Sequence, residues 1–472
     1  VGKNFQLSEP VLSIYNTLKR RKEVFEPIEA GKVKMYVCGL TTYDYCHVGH
    51  ARMLVAFDVV VRYLRHSGYK VTYVRNITDI DDKILRRARE NNELFSDLTQ
   101  RFIDATHEDE DALAVLRPDH EPRATEHIEQ IIAMIRKLIS SDYAYRAENG
   151  DVYYSVTQFS GYGHLSNKNP EELLAGARIE IGELKRDPRD FALWKAAEDG
   201  DVGWDSPWGY GRPGWHIECS AMSTCCLGDS FDIHGGGSDL MFPHHENEIA
   251  QSEAATGKQF SHYWMHNGSV RVDNEKMSKS LGNFFTVRDV LKKYKPEVLR
   301  YLLLASHYRS PINYSDQGLQ QSEAALERFY SCLRGLNTGS ARDIVNSRFE
   351  KAFHAAMDDD FNTPLALGVL FDLVRKINRI KETDTIAGTE LARLLLRLGG
   401  ILGILQTEPE SFFQQPGESA ADSGMIDKLV AQRWQARVDR DWARADELRA
   451  ELSALKVVVE DKADGSIWRF ER

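Results

Sequence analysis

Met35-Tyr36-Val37-Cys38-Gly39-Leu40-Thr41-Thr42-Tyr43-Asp44-Tyr45-Cys46-His47-Val48-Gly49-His50 is the stretch whose reading decides the fold. Residues 35–39 read as a short buried strand, and a polar turn follows. Val48 to His66 then reads as a helix: Leu54, Val55, Val59 and Leu64 fall on its apolar face, and Gly68 stops it. Val71 to Val74 makes a second strand. Strand, helix and strand within about 40 residues form a βαβ unit, which requires a parallel sheet. Ligands on such sheets collect at the carboxyl ends of the strands. Cys38, His47 and His50 all fall at that edge.

Working outward, the pattern from about residue 95 to 205 turns helical and charged. Arg101 to Leu116 and Ile128 to Ser140 are predicted helices, and Tyr143 to Val156 a hairpin turned at Asn149-Gly150. This segment reads as an insertion between two halves of a nucleotide-binding fold. The second half resumes with the strand Phe231-Asp232-Ile233-His234, which runs into Gly235-Gly236-Gly237. A helix is predicted from near Pro243, a favoured first-turn residue. Val270 to Val272 is strand-like and leads into a polar loop, 273–283. Helices dominate from Val287 to Leu405. The stretch 407–424 is rich in Pro, Gly, Ser and Glu without periodicity, which reads as a linker. The tail reads as two helices and a hairpin, Val457-Val458-Val459 against Ile467-Trp468-Arg469. The expected architecture is α/β: a Rossmann-like parallel-sheet domain over 1–310 carrying the insertion, a helical bundle over 311–406, the linker, and a small α/β module over 425–472.

The 472 residues suffice for several cores, and 42% hydrophobic with 28% charged residues is ordinary for a globular chain. No run of about 18 apolar residues exists, which argues against a membrane helix, and Val1 to Pro10 has no secretory pattern. Six cysteines, at 38, 46, 219, 225, 226 and 332, are too sparse and uneven for a disulfide framework; reduced thiols or metal ligands in a cytoplasmic protein are expected. A net charge of −11 argues against bulk nonspecific binding to nucleic acid, yet a local basic stripe can bind RNA on an acidic protein.

Three constellations carry chemistry. His47 and His50, three apart at a helix N-terminus, share a face where free N–H groups and partial positive charge favour anions, and Gly49 leaves room for close approach. This suits a phosphate cradle; two incidental surface histidines would look the same. Lys276-Met277-Ser278-Lys279-Ser280 can clamp a polyphosphate, or can be a solvated basic loop. His244 and Glu248, spaced i,i+4, project from one helix face. With Cys38 and Cys219 they would make a plausible zinc set, although distant cysteines also occur as plain core residues. Cys46, Cys225, Cys226 and Cys332 fall outside that pattern; for the adjacent pair Cys225-Cys226, which can also suggest metal or redox work, core packing is expected.

Together, the His-Val-Gly-His turn after the first strand and the Lys-Met-Ser-Lys-Ser loop after the last resemble the two ATP-binding motifs of class I aminoacyl-tRNA synthetases. The resemblance sharpens over Met35–Gly39, Asn76-Ile77-Thr78-Asp79-Ile80-Asp81-Asp82-Lys83, Gly211-Arg212-Pro213-Gly214-Trp215-His216-Ile217-Glu218-Cys219-Ser220 and Phe242-Pro243-His244-His245-Glu246-Asn247-Glu248. These segments look like the cysteinyl-tRNA synthetase family, and the match runs from about Ile14 nearly to the C-terminus. The resemblance implies attack of a cysteine carboxylate on the α-phosphate of ATP, with magnesium accompanying ATP, and then transfer to the 3′ end of a tRNA. It implies one zinc per chain on Cys38, Cys219, His244 and Glu248, selecting cysteine over serine. It implies Trp215 closing over the cysteine, and Thr41, His234 and Asp239 near it. His47, Gly49 and His50 would meet ATP, together with the loop Lys276, Met277, Ser278, Lys279 and Ser280, in which Lys279 would be the chief contact.

The tail interleaves Arg433, Trp434, Arg437, Arg440, Trp442, Arg444 and Trp468, a pattern suited to phosphate contact and base stacking. By the resemblance it is the anticodon-reading end, with the helical bundle as tRNA support. Two rival expectations are a zinc-dependent cysteine ligase acting on an amino sugar, which needs no RNA-reading tail, and a noncatalytic RNA-binding homologue, against which the intact ATP motifs argue. A monomer, without membrane attachment, is expected.

Overall fold

The computed structural model describes residues 11–168, 172, 184–198, 200–272, 275–276, 284–340, 342–345, 347–414, 423–462 and 465–470. Its centre is a four-stranded parallel sheet. In chain order the strands are β1 (Lys32–Thr41), β2 (Lys70–Thr78), β3 (Phe231–Gly237) and β4 (Ser261–Asn267), arranged β4-β3-β1-β2. The predicted first strand and helix are both present, and the helix, α1 (Val48–His66), has the predicted limits. Its first turn is closed by its own histidines: the His47 ring accepts from the His50 N–H, and the His50 ring faces the His47 N–H. Ser67 ends the helix, and Gly68 follows at φ +91°. Buried Val, Leu, Phe and Ala side chains along α1 cover the sheet. Buried Arg52 ties α1 to a later segment: its Nη2 donates to the His307 carbonyl at 2.7 Å.

The insertion forms its own antiparallel sheet, Ala144–Arg146, Val152–Tyr154, Phe191–Ala196 and Gly211–Pro213, in that order, with Gly150 at φ +95° in the predicted hairpin turn. The helix Ile128–Ser140 packs there through Ile131, Ile135 and Leu138. The helix expected over 101–116 instead spans Phe95–Ala112, because the chain takes a left-handed turn at Ala114 (φ +54°). α2 (Trp215–Leu227) leads back to the central sheet. Near Pro243 the helix does not start cleanly. A wide turn, Met241–His245, is broken at Phe242 (φ −140°, ψ 131°), and regular α3 begins at Glu246 and runs to Thr256.

The chain divides into two compact units that interleave. The first comprises 1–284, 306–313 and 354–364; the second comprises 285–305, 314–353 and 365–472. A single cut near 310 therefore does not describe the backbone. Asp360 explains the return of 354–364 to the first unit: it accepts from Tyr15 N (2.9 Å), Tyr308 Oη (2.8 Å) and Arg309 Nε (2.7 Å).

In the second unit, part of the expected linker is ordered. Pro409–Gln414 is a helix whose Phe412 is buried and stacked on Tyr330, with ring centroids 4.0 Å apart, while Arg334 covers Phe413. Glu410 also pairs with Arg334 at 2.7 Å, so two aromatics and an ion pair anchor this polar segment; residues 415–422 lie outside the described set. The terminal module has the expected helices, Ser423–Val438 and Trp442–Ala454, and a hairpin pairing Val457–Lys462 with Gly465–Phe470. Ile426, Val430, Leu448, Leu452 and Trp468 form its core. Among the described residues, no helix is long and apolar enough to cross a membrane.

The β1–β2 ladder shifts register between Val37 and Leu40, and there the two backbones come very close. A Cβ on Gly39 would lie 1.7 Å from the Asn76 carbonyl oxygen. Gly39→Ala must force these strands apart, at a cost of at least about 1–3 kcal/mol, the usual range for overpacking. Thermal melting should show a clear fall in Tm, whereas Gly368→Ala, in open space on a helix, should show none. An unchanged melt for Gly39→Ala would contradict the close approach.

Candidate active site and metal centre

The ladder shift aims Cys38. A β-bulge redirects the side chain at a strand end, and here the bulged backbone is pinned by Gly39 N–H donating to buried Asn76 Oδ1 at 2.9 Å. Cys219 arrives from the second turn of α2. That helix can begin against the insertion sheet because Gly214 has no Cβ; one would sit 2.0 Å from the Ala192 carbonyl oxygen. His244 comes from the wide turn and Glu248 from the first turn of α3.

All four side chains are buried, and their ligand atoms lie within 4.8 Å of one another. Cys38 Sγ is 3.8 Å from Cys219 Sγ and 3.2 Å from Glu248 Oε1, and His244 Nε2 is 3.1 Å from Glu248 Oε1. A second set, Cys38, His234, His245 and Glu248, overlaps the first and is equally compact; in it, His234 Nε2 is 2.9 Å from Glu248 Oε2.

Proximity sets the protonation states. The hydrogen bond from Cys38 draws the Cys219 thiol down to about 6, against burial. Burial pushes Cys38 well above the usual thiol range, and its hydrogen bond to Cys219 pushes the same way. Burial alone would lower His244, but Glu248 and then Cys219 outweigh it and lift the imidazole to about 10. Burial would raise Glu248, yet His234 and His244 hold it well below the carboxylate range. The pocket thus contains an ionised thiol, an ionised carboxylate, a protonated imidazole and a neutral thiol.

Around this quartet, Trp215 stacks on His244, with centroids 4.2 Å apart and planes 30° apart, yet stays 37% exposed. His234 stacks on Trp264 at 4.3 Å. Thr41 ends β1, opposite Thr78, and is half-buried. Asp239 is exposed in the turn after β3. Several contributors gave no signal in spacing. His216 Nδ1 meets His244 Nδ1 at 2.9 Å, and His245 Nδ1 meets His266 Nε2 at 2.8 Å. The Gly235-Gly236 run serves the same packing: a Cβ would lie 2.5 Å from the Phe57 ring or 2.8 Å from the His245 ring. The one available signal was His216 and His245 standing beside proposed site residues in the quoted motifs.

His47 and His50 face each other at the α1 N-terminus, with rings stacked 3.5 Å apart and Gly49 between them in the first turn. Lys276 pairs with Arg271 in a short antiparallel ladder. The Lys276 side chain and the loop residues Met277, Ser278, Lys279 and Ser280 lie outside the described residues.

Cys46 and Cys332 are buried; the core packing expected of Cys225-Cys226 does not hold, since Cys225 is exposed and Cys226 only half-covered. In the tail, the Arg/Trp pattern splits. Arg433 is buried in a two-point ion pair with Asp461 (2.7 and 3.1 Å), and buried Trp468 donates to Asp427 at 2.7 Å. Both are structural. Trp442 is 58% exposed, with Arg440 and Arg444 exposed near it in the chain.

Comparison with known proteins identifies the family. Residues 24–324 match the family model of the tRNA synthetases class I (C) catalytic domain, 352–406 the DALR domain, and 423–469 the cysteinyl-tRNA ligase anticodon binding domain. The chain is 61% identical to the cysteine–tRNA ligase of Azotobacter vinelandii, over 97% of this chain and 99% of that one. It is 58% identical to the Pseudomonas aeruginosa enzyme of the same name, over 98% and 100%. Among solved structures, the methionyl-tRNA synthetase of Mycobacterium tuberculosis in complex with methionyl-adenylate is similar in fold (TM-score 0.57, 17% identity, 88% of this chain and 96% of that one). A LeuRS–tRNA–LeuAMS complex from Agrobacterium radiobacter is similar too (TM-score 0.58, 12% identity, 93% and 95%). With a family model spanning most of the chain and near-full-length relatives at this identity, the chain belongs to the cysteine–tRNA ligase family and carries the class I synthetase fold.

Proposed function

We propose that this chain activates L-cysteine with ATP, forming cysteinyl-adenylate and pyrophosphate, and transfers the cysteinyl group to the 3′ end of its cognate tRNA. The observation that carries this reading is the convergence of Cys38, Cys219, His244 and Glu248 at the carboxyl end of β1. Two sulfurs 3.8 Å apart match the edge of a tetrahedron with ~2.3 Å metal–sulfur bonds, about 3.8 Å. Two thiolates, an imidazole and a carboxylate suit zinc. The alternative set offers one sulfur and leaves out Cys219, the thiol that is already ionised. Zinc held by these four residues would act as a soft Lewis acid that takes a substrate thiolate as an added ligand and a serine hydroxyl poorly. A site built around a required contact rejects the analogue lacking it by roughly 10⁴–10⁵.

The chain's own residues do the rest. Trp215 closes over the substrate side chain, and Thr41, His234 and Asp239 border the amino acid. His47, Gly49 and His50 present the α1 N-terminus to the phosphates of ATP, which enters with magnesium. Lys276, Met277, Ser278, Lys279 and Ser280 meet those phosphates from the other side, and Lys279 faces the charge that grows as the carboxylate attacks the α-phosphate in line and pyrophosphate leaves.

The helical segment 311–406 supports the tRNA. A groove of about 420 Å³ in it is lined by Arg348, Arg375, Lys376 and Arg379, with Asp372, paired to Arg375, the one acid among the described lining residues, and so suits phosphates. The module 425–472 meets the anticodon through Trp442, Arg440 and Arg444. The enzyme works as a cytoplasmic monomer. Cysteine-dependent ATP–pyrophosphate exchange followed by charging of purified tRNA tests the whole reading. Exchange without charging would favour a small amino acceptor, and absence of both would leave a noncatalytic homologue.

Two predictions follow from the residues. Metal-free protein at about pH 7.5 should release about two protons per zinc, because ligands bind deprotonated while His244, lifted to about 10, and Cys38 still hold theirs. An indicator-dye titration measures this, and release should shrink as pH passes about 10. Cys219→Ser should abolish the uptake; proton-free uptake at wild-type strength would refute the ligand set. Lys279→Ala should slow adenylate formation by about 10²–10³, as for a lost electrostatic contact, with little change in cysteine affinity. Collapse of cysteine binding with unchanged adenylation would refute the role given to that loop.

A further inference from the structure

His216 has no part in the activity argued so far, yet its Nδ1 lies 2.9 Å from Nδ1 of His244, a proposed ligand. His244 directs its other nitrogen, Nε2, at Glu248 Oε1 and the centre of the quartet. Two ring nitrogens at that distance share one proton, so one donates and the other accepts. If Nε2 of His244 takes the metal, its Nδ1 must carry the proton, and His216 must accept it. We infer that His216 is a positioning residue, whose neutral Nδ1 fixes the tautomer and ring orientation of His244 at the metal centre.

Three features support this assignment. First, His216 is held from behind. Its carbonyl accepts from Gln251 Nε2 at 2.9 Å, and the same amide donates to Ser220 Oγ at 2.8 Å. Gln251 is on α3, one turn beyond Glu248, so a single amide ties the start of α2 to the helix that carries the carboxylate ligand. Second, the His244 ring is trapped from another side by Trp215, which leaves the hydrogen bond to choose its rotation and tautomer. Third, the His216 ring has its own fixed wall, edge-to-face on Phe191 at 5.5 Å, and borders a cavity of about 220 Å³ with Tyr162, Arg189 and Asn247.

The identity of the acceptor has a consequence. Metal-bound histidines commonly donate to a carboxylate or a carbonyl. The quartet already brings two thiolates and a carboxylate to one divalent ion, a net charge of −1. A carboxylate acceptor behind His244 would add another negative charge to a buried site about to receive the thiolate of cysteine. A neutral imidazole orients the ligand without that repulsion and leaves the ion more attractive to an incoming thiolate.

This inference rests on the zinc assignment above, and the test separates the two. Zinc affinity is measured by chelator competition on the full chain, with cobalt absorption as a second readout. If wild-type protein takes up no metal, the zinc assignment itself fails. If it does, His216→Leu should weaken zinc about 10- to 100-fold, the usual range for outer-shell partners, and shift the cobalt bands. At saturating zinc it should raise the KM for cysteine more than it lowers kcat. His216→Asn places an oxygen acceptor near the Nδ1 position and should restore most of the affinity. Wild-type affinity in a folded His216→Leu protein would overturn the inference. So would an asparagine variant as weak as the leucine one, since ring packing alone would then explain the loss. Should the leucine variant not fold, ¹⁵N spectra of the zinc-loaded wild-type imidazoles decide: His216 protonated at Nε2 supports the assignment, and protonation at Nδ1 overturns it.

Discussion

Charge that is taken out of water must be matched where it lies, and at the end of β1 this chain buries two thiols, an imidazole and a carboxylate together. An isolated buried ion costs many kcal/mol, and groups in such sites shift their protonation to avoid it. The quartet does so: Cys219 gives up its proton readily, His244 keeps one, and Cys38 stays neutral between Cys219 and Glu248. Metal-free, these protonation states leave the site proton-loaded, with one negative charge in excess. A divalent cation would displace those protons and meet the negative ligands directly. The rest of the catalytic unit can be understood as the scaffold needed to bring four such groups from three separate stretches of chain to one point.

That scaffold works through close approach. Gly39 lets β1 touch β2 at the bulge, Gly214 lets α2 start against the insertion sheet, and Gly235 and Gly236 admit the rings of Phe57 and His245. Asn76 ties the bulge to the neighbouring strand, while Gln251 ties α2 to α3. The parallel order β4-β3-β1-β2 then places the ligand cluster and the α1 N-terminus at the same edge of the sheet. In the proposed reading, amino-acid selection and phosphate handling sit side by side, as a reaction between a carboxylate and an α-phosphate needs.

Much of this was legible in the sequence because its signals are local. The βαβ unit follows from apolar periodicity and Gly68, and α1 has the predicted limits. The i,i+4 spacing placed His244 and Glu248 on one face even though the backbone between them is a wide turn followed by regular helix. What stayed hidden depends on burial and tertiary geometry. Arg433 and Trp468 look like RNA-contacting residues in one dimension, but an ion pair and a core absorb them. Phe412 made a helix out of a segment whose composition reads as a linker. The return of Asp360 to Tyr308 and Arg309 interleaves units that a linear reading divides once. His216 was adjacent to Trp215 in plain view, but no spacing rule reveals that its ring nitrogen meets a ligand from another element.

The account's central claim is that the buried quartet holds a metal whose purpose is to bind the sulfur of the substrate. X-ray absorption at the zinc edge of the loaded protein tests it most directly. The ligand set predicts two sulfur neighbours at ~2.3 Å in the free enzyme, from Cys38 and Cys219. Saturating L-cysteine should add a third, and L-serine should add none. A sulfur count that stays at two with cysteine bound would contradict the claim and confine the metal to a structural role.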